Sequence, residues 1–286
     1  MFPSYVTEDR INQFIEAAIL EDIGEGDHTT LATIPESATH RAQLLIKDFG
    51  VIAGVELAEY ILKRFDPNST FEVVKKDGTH VDYGDIAFYA EGNSRALLMA
   101  ERLLLNTMQR MTGIASMTDR FVAEIEGTTT KLLDTRKTTP TIRFLEKWAV
   151  KIAGGTNYRF GLYDWIMIKD NHVDACGGIQ KAIQKVQDYL KANQLERGIT
   201  IEVRNLVELY QVLEIGQVSR IMLDNFELPI LKEAITIIDG KFETEASGGV
   251  NIHTIGAIAE TGVDFISVGA LTHSYVSKDL SFKVVK

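Results

Sequence analysis

The 286-residue chain has a single cysteine, Cys176. One thiol closes no disulfide within the chain, which excludes a small scaffold held by cross-links and leaves Cys176 to be read as a small core residue. Long apolar runs are also missing. Stretches such as Phe265 to Leu271 fall far short of the roughly 18 residues that a membrane helix needs. The N-terminal segment lacks the basic-then-apolar order of a secretory signal and carries Glu8, Asp9, Glu16, Glu21 and Asp22 instead, which predicts a chain without a signal peptide. Positive charge is scarce: 30 Lys+Arg against 40 Asp+Glu leave a net charge of -10. A surface of that sign repels phosphate backbones and anionic lipid, so neither nucleic acid nor membrane is expected as a partner, and a cytoplasmic protein is. What remains, 45% hydrophobic and 24% charged residues, is the balance of a globular protein. At roughly 150 residues per domain the length suggests two domains.

Residues 7–22 place Ile11, Phe14, Ile15, Ala18 and Ile19 on one helical stripe, with Thr7 set to cap it. The following EDIGEGDHTT reads as a loop, with His28 a surface residue and no metal spacing around it. From Arg41 to Glu91 the short runs AQLLI, GVIAGV, FEVVK and DIAFYAE alternate with turn signals at Asp77-Gly78 and Tyr83-Gly84-Asp85, around one helical stretch, LAEYILKRF. That predicts a small α+β domain over residues 1–115, with the tail 275–286 returning to it. Residues 94–111 are strongly helical and apolar on most sides, with Glu101 and Arg102 in the middle. By pattern alone Arg102 fits an ion pair as well as it fits a site. Over residues 116–274 the runs KLLDT, WIMIKD, ITIEV, RIMLDN, FETEASGG and FISVGA are separated by helical segments, the alternation of a parallel β/α structure that closes into a barrel or near-barrel.

Each of those runs ends in polar residues: Asp134, Thr135, Arg136 and Lys137; Lys169, Asp170 and Asn171; Glu202 and Arg204; Asp224 and Asn225; Ser247, Gly248 and Gly249; Gly269. The C-terminal strand ends of a β/α barrel converge on one mouth, where catalytic groups sit. Arg136, Lys137, Lys169 and Arg159 from the following loop form a cationic group against the overall charge, which suits a substrate with several carboxylates or phosphates. The glycine turns Ser247-Gly248-Gly249 and Val268-Gly269-Ala270 follow the last strands, where barrels hold phosphate on backbone N–H groups. Glu202 and Asp224 bring the opposite sign, suited to ribose hydroxyls, a magnesium-bound ligand or a developing cation.

The strings ERLLLNTMQRMTGIAS, LLDTRKTTP, LEKWAVKIAGGTNYRFGLYDWIMIKDNH, IMLDN, ASGGV and FISVGALTHS, with the early EDIGEGDHTT, resemble the quinolinate phosphoribosyltransferase family over essentially the whole chain. The resemblance implies a type II phosphoribosyltransferase: an incomplete, TIM-like β/α barrel domain beside a small N-terminal α+β sandwich domain. It implies a homodimer whose active site is shared between subunits, with Arg102 donated across the interface. The implied reaction joins phosphoribosyl pyrophosphate to the ring nitrogen of quinolinate and releases pyrophosphate and CO2, giving nicotinate mononucleotide for NAD biosynthesis. Carried over by position, Arg136, Arg159 and Lys169 meet the quinolinate carboxylates and Lys137 reaches both substrates, with Thr135 beside them. Glu202 and Asp224 face the ribose and a magnesium ion brought by the substrate, with no direct protein ligand implied, and the two glycine turns hold the 5′-phosphate. Lys137, Lys169, Glu202 and Asp224 are the residues the resemblance makes catalytic. Two positions depart from the family pattern: Tyr158 stands where a histidine is common, and Arg204 where a second acid often follows the barrel glutamate. Tyr158 keeps a hydrogen-bonding tip, and its presence admits a paralogue acting on another aromatic acid. A Schiff-base lyase through Lys169 and a non-catalytic sensor of dicarboxylates are the other readings. The first leaves the arginines idle, and the second has no use for Glu202 and Asp224.

Overall fold

The computed structural model describes residues 2–285. In chain order the elements are α1 (Glu8–Asp22), α2 (His28–Thr33), β1 (Thr39–Ile46), β2 (Gly50–Val51), α3 (Val55–Phe65), β3 (Thr70–Val73), β4 (His80–Val81), β5 (Ile86–Asn93) and α4 (Ser94–Ala123). Then come β6 (Lys131–Leu133), α5 (Arg143–Ile152), β7 (Ile166–Ile168), α6 (Asp170–Cys176), α7 (Ile179–Ala192), β8 (Ile199–Val203), α8 (Leu206–Ile215) and β9 (Arg220–Asp224). The last are α9 (Leu228–Ile238), β10 (Glu243–Ser247), α10 (Ile255–Ala259), β11 (Phe265–Ser267), α11 (Ala270–His273) and β12 (Leu280–Val284).

Two compact units share these elements. The first takes the described residues up to 119 together with 138–154 and those from 271 onward. Its antiparallel sheet has the order β12-β1-β5-β3, and the C-terminal strand pairs with β1 from Ala42↔Val284 to Ile46↔Leu280. Leu44, Ile46, Phe88 and Phe282 are buried on it. Helix α3 buries Val55, Leu57, Ala58, Ile61 and Leu62. Each Leu or Ile taken out of water contributes about 1.5 to 3 kcal/mol. The Asp77 carboxylate caps this helix from a distant turn, accepting from Val55 N (2.8 Å) and Glu56 N (3.2 Å). Thr7 caps α1, accepting from Arg10 N. EDIGEGDHTT is not loop throughout: Asp27 accepts from Thr30 N at 3.0 Å and starts the short α2, with His28 exposed at its first position. Residues 138–154, expected within the barrel domain, belong to the first unit, because α5 buries Phe144, Leu145, Trp148, Ala149 and Val150 there. Its Glu146 is fully buried and accepts from Arg110 Nε (2.8 Å) and Thr139 N (3.0 Å).

The second unit, Arg120–Lys137 and Gly155–Ala270, is the incomplete barrel. Six parallel strands stand in the order β6-β11-β10-β9-β8-β7, so the first and second in sequence form the two edges instead of closing the ring. Thr156 pairs with Leu133 beside the β6 edge. Register follows the two-residue period of strands. Thr200, Arg220 and Glu243 share one rung; Glu202, Met222, Glu245 and Phe265 share the rung two residues on; Asp224 and Ser247 share the rung two residues beyond that. The alternate residues Ile199, Ile201, Val203, Ile221, Leu223 and Ala246 are buried on the opposite face. Cys176, at the end of α6, is half-buried and not part of the core. Among the described residues no helix is long and apolar enough to cross a membrane.

Candidate active site

Strands that run parallel bring their C-terminal ends to one side, and there the predicted side chains collect within the second unit. Lys169 follows β7 and Glu202 lies near the end of β8; Lys169 Nζ donates to Glu202 Oε2 over 3.0 Å. Helix α6 begins at the next residue, and His172 reaches back from its first turn so that Nδ1 accepts from Lys169 N at 2.9 Å. This acceptor role is structural, and it fixes the backbone from which Lys169 projects. Asp224 ends β9. Its Oδ1 accepts from Ser247 Oγ and its Oδ2 from Asn225 Nδ2, both at 2.6 Å. Asn225 takes a positive φ of 55° and donates its N–H to the Ser247 carbonyl, which locks the ends of β9 and β10 together. Gly248 (φ 92°) turns directly over it: a Cβ there would collide with the Asn225 side chain. Gly249 (φ 61°) continues the turn, and both glycines are exposed.

After β6, Thr135 Oγ1 accepts from Lys137 N at 3.0 Å, which bends the chain so that half-buried Arg136 and exposed Lys137 leave the strand end in succession. Asp134 just before them is fully buried. It accepts from Asn157 Nδ2 (2.6 Å) and Tyr158 N (2.8 Å), tying the Arg159 loop to the end of β6. Burial, together with the Arg136 charge beside it, holds the Arg159 guanidinium below its ordinary pKa. Two cations brought close in one half-buried place fit an anionic ligand.

Other predicted residues lie differently. Tyr158 points its hydroxyl at Thr200, 2.6 Å away, on the rung below Glu202. Arg204, two residues beyond Glu202, is held at the surface by Asp174 (3.1 Å) and Glu208 (2.6 Å), and these hydrogen-bonded carboxylates raise its pKa. Val268 is buried and gives its N–H to the Leu133 carbonyl, so that donor serves the strand ladder; Ala270 opens α11. In the first unit, Arg102 is exposed on α4 and, among the described residues, makes no hydrogen bond or ion pair. Sequence reasoning passed over Thr200, Asp134 as an anchor, and Asn225 as a clamp. A threonine between Ile199 and Ile201, on the same face as Glu202 in a strand buried at every position, is the available signal for the first.

Residues 27–112 match the family described as quinolinate phosphoribosyl transferase, N-terminal domain, and residues 114–283 match its C-terminal domain. The chain is 44% identical to the Arabidopsis thaliana protein named nicotinate-nucleotide pyrophosphorylase (carboxylating), chloroplastic, over 99% of this chain and 84% of that protein. It is 38% identical to the Bacillus subtilis protein named probable nicotinate-nucleotide pyrophosphorylase (carboxylating), over 96% of this chain and 93% of that one. The crystal structure of NadC from Streptococcus pyogenes superposes with a TM-score of 0.92 at 36% identity, covering 98% of this chain and 99% of that chain.

Proposed function

The chain belongs to the quinolinate phosphoribosyltransferase family, and we propose that it transfers phosphoribose from phosphoribosyl pyrophosphate to the ring nitrogen of quinolinate with loss of CO2. What supports this is that Lys169, Glu202 and Asp224 stand at the C-terminal ends of neighbouring parallel strands, with Lys169 paired to Glu202, while Arg136 leaves the end of β6 and feels the charge of Arg159. The cations suit the two carboxylates of quinolinate, each charge-assisted hydrogen bond contributing about 1.5 to 3 kcal/mol. Lys137 stands next to Arg136, where it serves both substrates. Asp224, clamped by Ser247 and Asn225, and Glu202, partnered by Lys169, take the ribose side. The Ser247-Gly248-Gly249 turn and the Gly269-Ala270 turn hold the 5′-phosphate.

The chemistry is mainly positioning. The pyridine nitrogen has no proton to lose, so no general base is needed: its lone pair bonds to ribose C1′ as the C1′–O bond to pyrophosphate breaks. Glu202 and Asp224 support the positive charge that develops on that carbon. The ring nitrogen is then cationic and stabilises the electron pair left on the adjacent carbon when its carboxylate departs as CO2; a proton takes the vacated position. A magnesium ion brought with phosphoribosyl pyrophosphate would neutralise the leaving pyrophosphate, with Glu202 and Asp224 on its side of the site. Among the described residues no three His, Cys, Asp or Glu side chains gather as a metal site. Two carboxylates fit an ion that keeps its waters and phosphate oxygens as its main ligands. Exposed and without an ion pair among the described residues, Arg102 is assigned to the site of a second copy in a homodimer.

The test is to incubate the protein with quinolinate, phosphoribosyl pyrophosphate and magnesium, following pyrophosphate, CO2 and nicotinate mononucleotide together. Equal formation of the three, lost in Lys169→Ala, is expected. No product from quinolinate, with turnover of another aromatic acid, would limit the reading to the phosphoribosyl half.

A further inference from the structure

The loop that carries Arg159 has Tyr158 at one end and Trp165 at the other, and both side chains meet on one atom. Tyr158 Oη lies 2.6 Å from Thr200 Oγ1, and Trp165 Nε1–H donates to the same oxygen over 2.9 Å. Thr200 is fully buried on β8, two residues before Glu202 and on the same face. Between the two aromatics Asp164 draws the loop tight, accepting from Phe160 N (2.6 Å) and Gly161 N (3.0 Å). Beneath it the Arg220 guanidinium lies 3.8 Å from the Phe265 ring centre and 5.0 Å from that of Tyr158. Glu245, fully buried, accepts from Ser267 and, over 3.4 Å, from Arg220 Nη1. Trp165 occupies one lone pair of Thr200, and the threonine keeps its hydroxyl proton and a second lone pair for Tyr158.

Arg159 itself is weakly held. Its hydrogen bonds are a long one of 3.4 Å to the Trp165 carbonyl and one of 3.5 Å to Met167 Sδ, a weak acceptor. The guanidinium is thus placed by the frame of its loop more than by its own bonds. That loop lies in the gap of the incomplete barrel, where β6 and β7 do not pair.

We propose that Thr200 and Tyr158 are positioning residues: their hydroxyls clasp the Arg159 loop across the open edge of the barrel, and this clasp sets the affinity for the dicarboxylate substrate. The inference rests on the assignment of Arg159 to a quinolinate carboxylate made above. Recognition by a planar guanidinium depends strictly on geometry, so a small displacement of the loop weakens it without touching the phosphoribosyl side. Tyr158 then replaces the common family histidine as a strut below the site, and quinolinate remains the acceptor.

Kinetics with each substrate varied in turn, plus thermal melts, on Thr200→Val, Thr200→Ser, Tyr158→Phe and Arg159→Lys test this. Thr200→Val is expected to raise KM for quinolinate about tenfold, with kcat and KM for phosphoribosyl pyrophosphate within about twofold of the parent. Thr200→Ser keeps the hydroxyl and is expected to restore most of the loss. The Thr200→Val/Tyr158→Phe double variant should lose less than the sum of the two single losses, since both break the bond between the two hydroxyls; full additivity overturns the clasp. An unchanged quinolinate KM in Thr200→Val overturns the clasp, as does a Ser variant equally impaired, or a parallel rise of both KM values with a lowered melting point. If Thr200→Val does not fold, Tyr158→Phe carries the same comparison. An Arg159→Lys variant that binds quinolinate normally overturns the assignment of Arg159 itself; one that binds poorly beside an unaffected Thr200→Val overturns the clasp alone.

Discussion

The Lys169 ammonium and the Glu202 carboxylate stand 3.0 Å apart, the first with its side chain 48% exposed and the second 7%. The pair is therefore lopsided: the acid is taken out of water and depends on the base, while the base keeps half of its hydration. In the proposed reaction an incoming dicarboxylate would compete for the lysine, and the developing ribose cation would become a second partner for the acid.

Lys169→Ala is expected to lower kcat/KM by about 10²- to 10³-fold, the usual loss when one donor to developing charge is removed. It should also destabilise the fold by about 1 to 2 kcal/mol. That is below the figure for a fully buried pair, because water already screens Lys169. Steady-state kinetics and urea melts measure the two effects separately. Borohydride added to the parent enzyme with its substrates should leave its intact mass unchanged; a covalent adduct at Lys169 would return the Schiff-base lyase.

Gly248→Ala should raise KM for phosphoribosyl pyrophosphate about tenfold or more while calorimetry finds quinolinate binding intact. The position needs φ 92° and its Cβ would strike the Asn225 side chain, so the turn must shift. Backbone strain of this kind costs about 1 to 3 kcal/mol. Equal weakening of both substrates would place the turn elsewhere than on the phosphate.

Asp77 gives the fold a pH dependence. Burial pushes its carboxyl up to about 6, against the pull of the two backbone N–H groups it accepts from. The folded state therefore binds a proton that the unfolded chain has released between about pH 4 and pH 6, and stability falls as pH rises through that window. The expected decline is on the order of 1 kcal/mol, since Asp77 retains some contact with water. Asp77→Asn should flatten the slope, measured as denaturant midpoints across the window.

Arg110→Ala leaves Glu146 fully buried with Thr139 N–H as a remaining donor. Breaking such a pair from one side costs about 3 to 5 kcal/mol. A loss of this size in chemical melts is expected, and a loss below about 1 kcal/mol would mean that the pair behaves as a surface one.

Arg204→Ala should leave both KM values within about twofold. Asp174 and Glu208 already occupy its guanidinium at the surface, and a small salt-sensitive change in stability is the expected effect.

The strand ends were legible because a parallel strand is a short apolar run and its stop is chemically visible: Lys169, Glu202 and Asp224 each follow or close such a run. The α2 turn was not, since its cap is one aspartate in a glycine-rich stretch whose composition favours a loop. Helix α5 shows an apolar face, but nothing local says which unit that face belongs to; long-range packing decides it. Tyr158 was legible as a departure and illegible in direction. Its partner Thr200 lies 42 residues away in a strand whose neighbours are apolar.

The pairing of β12 with β1 has a consequence for synthesis. The sheet of the first unit takes an edge strand from the stretch ending at Val284 and the strand inside it from Ala42 and its neighbours. While the ribosome is still translating the barrel, β1 has a bare hydrogen-bonding edge and a half-covered apolar face, the kind of surface that invites another chain. The sheet that starts with β1 is thus completed only when Leu280–Val284 has been made, and its cooperative folding waits on that strand.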